Sequence, residues 1–373
     1  MPKLILLADM RFFGARNLLP IALIFIVQTA HWFLLSRYLR TEAAASGKWP
    51  YIESAVLGMF MFLPGQLENF TWAFQIGFVL SFFFVSCSLV SLCQYHRSGG
   101  RFGWLLLSCL FPIASAMNLA SGNVAWRSLL LLCFFLRARF RTLAFISLSG
   151  FLSILCYFYN FQWDQTPPHK ISYLLNVRPF LRYITTYFGT SWWVVFPHEA
   201  RAIAFTSFIL RGYLIIRASL HRDSLSVAEL FLISECFYLF SVACVTAFGR
   251  MSFGADQASQ GRYQTPALIF WACLFCTIII RLRRQSRTKL LLCTQMLIAL
   301  IGVKVALDAP NTWAINQHRT SELRLACQAF VRGKLTDKDK RILCAPCAQK
   351  MFDSTRPMLL KLWHEDHEMQ NHP

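Results

Sequence analysis

Continuous apolar runs dominate this chain, and polar residues are gathered into short breaks between them. Leu18–Leu35, Phe70–Leu92, Thr142–Phe161 and Leu230–Phe248 each approach or exceed the ~20 helical residues that cross a bilayer. Shorter runs of the same kind place helical spans at 18–35, 53–66, 70–92, 103–117, 122–136, 142–161, 202–216, 230–248, 266–280 and 290–306. A membrane β-barrel needs strands that alternate apolar and polar residues, and these runs do not alternate. The pattern therefore predicts an all-α, polytopic transmembrane bundle of about ten spans, residues 1–307, followed by a polar tail, residues 308–373.

Composition agrees. The 373 residues are 56% hydrophobic and 15% charged, whereas a soluble domain carries roughly 25% charged residues to face water. A single soluble enzyme is excluded. Ten of the 13 Cys lie in or beside apolar runs, where Cys acts as a small hydrophobe, so no disulfide framework of the secreted type is present.

The net charge of +19 would suggest a nucleic-acid partner in a soluble protein. Its distribution says otherwise. The odd-numbered connections (36–52, 93–102, 137–141, 217–229 and 281–289) hold fifteen Lys and Arg, and the even-numbered ones hold five. Cytoplasmic loops are the basic ones, so the odd set is expected inside, both termini outside, and no nucleic acid is implied. The tail, with ten further Lys and Arg, becomes a small soluble helical appendage on the outer face. One feature resists this scheme. Lys3, Arg11 and Arg16 precede the first span without a signal region, so either the first span is misread or, the favoured reading, a further span lies upstream of Met1.

Candidate chemistry lies in the outer turns. The tightest is Pro64–Gln75, where Gln66, Glu68, Asn69 and Trp72 leave no room for a solvated loop. Two readings are open here: Glu68 as a general base lining an outward cavity, or a turn whose amides cap two helix ends. In the second turn, Asn118 to Arg127, the flanking runs are short for a span, so Asn118, Asn123 and Arg127 either line a broken-helix cavity or form a packed bend with Arg127 snorkelling outward. The third, Gly249–Pro266, carries Arg250, Asp256, Arg262 and Tyr263. Guanidinium forks suit a phosphate, and lipid-headgroup contact is the simpler alternative. Trp192 and Trp193 read as an interfacial belt, and Glu235 and Arg211 as an intramembrane pair. In the tail, Cys344, Cys347, His364 and His367 favour a local disulfide over zinc. No nucleotide-binding loop or nucleophile elbow is found, and a divalent cation is the only cofactor left open.

Asp9–Asn17, Gln66–Gln75, Asn118–Trp126 and Ser259-Gln-Gly-Arg262-Tyr263 together resemble the GT-C-like glycosyltransferases of bacterial cell-envelope assembly. The resemblance covers most of residues 8–306. It implies a multi-pass protein of the bacterial inner membrane that moves a sugar from a polyprenyl-phosphate carrier to an acceptor on the outer face. Such proteins keep an essential acidic residue in the first outer loop, after an initial span, and this chain offers only Asp9 near that point. The alternatives are a transporter or flippase of an amphipathic solute and a truncated, non-catalytic relative.

Overall fold

The computed structural model describes residues 2–14, 16–44, 51–159, 177–193, 195–221 and 225–331. Thirteen α-helices and no strand occur among them. In chain order they are α1 (Pro2–Phe13), α2 (Leu18–Ala44), α3 (Ile52–Met61), α4 (Leu67–Thr71), α5 (Ile76–Arg97), α6 (Phe102–Asn118) and α7 (Ala125–Phe135). There follow α8 (Phe140–Phe158), α9 (Val177–Gly189), α10 (Ala200–Leu220), α11 (Val227–Arg250), α12 (Gln264–Arg284) and α13 (Thr288–Val331). The chain divides into two compact units, Met1–Leu307 and Asp308–Pro373.

Among the described residues, seven helical segments are long and apolar enough to cross a membrane: 18–40, 73–97, 140–158, 200–220, 227–253, 261–284 and 288–311. The chain is therefore a multi-pass integral membrane protein. The other three expected spans are also helical but short. At 1.5 Å per residue, the ten residues of α3 cover about half of a ~30 Å hydrocarbon core.

Burial sorts the long helices into two classes. The segments containing α5, α11 and α12 are 78%, 72% and 78% buried, whereas those containing α2, α8, α10 and α13 range from 17% to 28%. The first three form the centre. The others turn Phe25, Phe151, Leu155, Ile209 and Leu300 outward, as lipid-facing helices do.

Local sequence explains the helix starts. Asp9, buried in α1, accepts the backbone N–H groups of Asn17 (2.7 Å) and Leu19 (2.9 Å), satisfying donors that the first turn of α2 leaves open. Its role in the structure is a cap. Ser226 and Glu229 form a reciprocal capping box at α11, with the Ser226 N–H 2.8 Å from Glu229 Oε2. Between α6 and α7, Gly122 packs so tightly on α6 that an added Cβ would lie 2.4 Å from the Ala116 nitrogen.

Two expectations need correcting. Residues 162–200, which the expected spans leave as an outer loop, contain α9, whose Tyr183–Gly189 half is buried against the bundle. Its hydroxyls and flanking Arg hid it among polar residues. Trp192 is likewise no interfacial residue: it is buried with its ring edge-on to Trp271 at 4.9 Å, while its neighbour Trp193 is the exposed one.

Candidate functional site

Polar groups inside a bilayer have no water to satisfy them, so they must find each other. Two such groupings link three or more elements of the bundle around the candidate residues.

The first is at the end of the bundle where the even-numbered connections meet. The Pro64–Gln75 segment folds as a 3-10 turn, the short helix α4 and a second 3-10 turn. This sets Gln66 and Asn69 inward, both fully buried. Gln66 donates from Nε2 to the Met61 carbonyl (2.7 Å), and its Oε1 accepts the Thr265 hydroxyl (2.7 Å). Asn69 donates to the Gly261 carbonyl and to Thr265 Oγ1, each at 2.8 Å. Gln28 of α2 donates to the same Met61 carbonyl at 2.9 Å. The first turn is thus stitched to the start of α12, some two hundred residues later in the chain.

Beside this stitch lies a group of Tyr and Arg. Tyr187 of α9 packs on Tyr263 with ring centroids 5.1 Å apart, and the Arg262 guanidinium lies 5.2 Å from the Tyr263 centroid. Burial pushes the phenols of Tyr183 and Tyr187 up from their ordinary range, and the neighbouring Tyr263 adds to the shift. Arg250 and Arg262 pull Tyr183 the other way, so both cations act on one phenol. Arg250 is exposed and Arg262 half-buried, and neither has a carboxylate at ion-pair distance among the described residues.

The remaining candidates are dispersed. Trp72 is about half exposed and leans on Phe74. Asp256 is exposed, and its carbonyl accepts from Ser259 at 2.6 Å. Asn118 and Asn123 bond locally, to the carbonyls of Ala114 and Ala120. Arg127 is exposed rather than turned into a cavity. The side chain of Glu68 and residues Cys344, Cys347, His364 and His367 lie outside the described residues. No cluster of three or more His, Cys, Asp or Glu suited to a metal occurs among the described residues.

The second place is the bundle centre. His31 of α2, Ser86 of α5 and Glu235 of α11 are all fully buried. His31 Nε2 lies 2.7 Å from Ser86 Oγ, and Ser86 donates to Glu235 Oε1 at 2.8 Å. This replaces the expected Glu235–Arg211 pair. Arg211 instead donates to the carbonyls of Leu232 and Ile233, so its fork is turned along α11 and away from the carboxylate. The visible signal was a lone His and a lone Gln in the first apolar run, spaced i, i+3 on one helix face. Sequence reasoning passed over both.

No protein-family model, curated protein or solved structure matches this chain.

Proposed function

We propose that the chain binds a phosphate-bearing polyprenyl lipid at the stitched end and transfers the sugar this lipid carries to an acceptor outside the cytoplasm. The observation that supports this reading is the bonding of Gln66 and Asn69 to Gly261 and Thr265. It brings the backbone of the turn that carries Glu68 against the loop that carries Arg262. Two guanidiniums with no carboxylate at ion-pair distance among the described residues suit a lipid phosphate, since Arg offers a planar fork of donors. Glu68 is assigned the role of base toward the acceptor hydroxyl, and half-exposed Trp72 that of a stacking surface for sugar. Gln66 and Asn69 hold the frame, because their donors are already used.

Purified full chain in liposomes, given a polyprenyl-phosphate sugar, tests this directly. Arg262→Ala is expected to abolish transfer while leaving membrane insertion intact, and transfer retained by that variant would overturn the assignment. Lipid movement across the bilayer without sugar transfer would replace the reading with transport.

A further inference from the structure

Three polar side chains from three helices meet in the bundle centre, where apolar residues of the same volume would be cheaper. All three are sealed from the surface, and the two links between them are short. Among the described residues no Lys or Arg forms an ion pair with Glu235. The titratable groups around it are Cys87 of α5, Cys236 and Tyr238 of its own helix, and Cys273 of α12; Arg211 of α10 donates from Nη2 to the Leu232 and Ile233 carbonyls and lies outside ion-pair distance of Glu235, its Nε and Nη1 being buried without a partner among the described residues. Both ends of the chain of three are open as well: His31 Nδ1 and Glu235 Oε2 are buried and lack a hydrogen-bond partner among the described residues.

We propose that His31, Ser86 and Glu235 form an intramembrane proton-transfer chain whose ligand is a proton. Ser86 can accept and donate at once, which makes it a bridge. In one state, an imidazolium donates from Nε2 to Ser86 Oγ while the Ser86 hydroxyl donates to a carboxylate. In the other, the Nε2–H bond has broken and a new O–H bond has formed on Ser86. The original Ser86 proton has moved to Glu235 Oε1, leaving neutral imidazole and neutral carboxyl. Both states carry zero net charge and the same number of protons, so the shift moves a proton without stranding a charge in a low-dielectric interior.

A proton joins at Nδ1 of the Nε2–H tautomer to give the imidazolium, and after the shift it leaves from Glu235 once the carboxyl turns its O–H to the unpartnered Oε2 side; a tautomer change at His31 and reorientation of the Ser86 hydroxyl then reset the chain. Gln28 lies three residues before His31 on the same face of α2, with its own Oε1 unpartnered. It leads toward the stitched end through the Met61 carbonyl. This inference does not depend on the sugar-transfer reading.

The test is pH-difference infrared spectroscopy of the full chain in phosphatidylcholine vesicles, without sugar substrate. A carboxyl C=O band that responds to a pH step is expected in the native protein. It should be lost in Glu235→Gln and lost or strongly slowed in Ser86→Ala, both no larger than the residues they replace. Ser86→Thr, which restores the hydroxyl, should bring it back. A response unchanged by Glu235→Gln or by Ser86→Ala would overturn the proposal, as would variants that lower thermal stability alone and leave the band as it was.

Discussion

Helix α12 is held at both ends, but by opposite chemistry. At its basic C-terminal end, Arg283 lies 2.8 Å from the buried Glu53 of α3, and Arg284 lies 2.6 Å from Glu229 of α11. At its N-terminal end, Thr265 and the Gly261 carbonyl before it bind the amides of Gln66 and Asn69 with no formal charge involved. The ionic end spends its guanidiniums on internal carboxylates. The neutral end achieves the same tethering with amides and hydroxyls, and Arg250 and Arg262 beside it have no carboxylate at ion-pair distance among the described residues. These two cations are the ones the proposed function assigns to a lipid phosphate.

The largest effect that would break this contrast is at the ionic end. Arg283→Met strands the Glu53 carboxylate, whose side chain is only 2% exposed, without its cation. Removing one partner of a buried pair costs about 3–5 kcal/mol. Thermal unfolding in detergent should show the loss, and Glu53→Gln in the same chain should recover much of it. Next is Asn69→Leu at the neutral end. It leaves the Gly261 carbonyl without its Asn69 bond and should cost about 1–3 kcal/mol. This loss should be the same at low and high salt, and a strong salt dependence would mean the end is not neutral. The smallest is Arg284→Ala. Its side chain is 44% exposed, so the pair with Glu229 is screened by solvent. About 0.2–1 kcal/mol is expected, shrinking as salt rises, while the capping box keeps Glu229 useful to α11 without it.

Elements were legible in the sequence where composition alone decides them. All ten apolar runs became helices, because continuous apolar sequence in lipid has no other way to satisfy its backbone. Helix α9 was missed for the converse reason. Arg178, Arg182, Thr185 and Thr186 break its apolar run, and only packing against the bundle makes its Tyr183–Gly189 half a core element. Among candidate residues, Gln66, Asn69 and Arg262 stood out as polar groups in tight turns, yet their roles could not be separated. Only the hydrogen-bond partners divide the amides that build the frame from the guanidinium left over.

The partners of Glu235 mark the same boundary. The sequence by itself determined that this is a helical membrane protein, that its long apolar segments are helical, and that a carboxylate in an apolar run must be met by something. Periodicity and hydropathy are properties of one segment at a time, so they can say this much. The choice between Arg211 and the Ser86–His31 pair was made by the faces that α2, α5 and α10 turn toward α11. Those faces are set by packing between helices distant in sequence, and no local pattern encodes which of two nearby polar groups arrives.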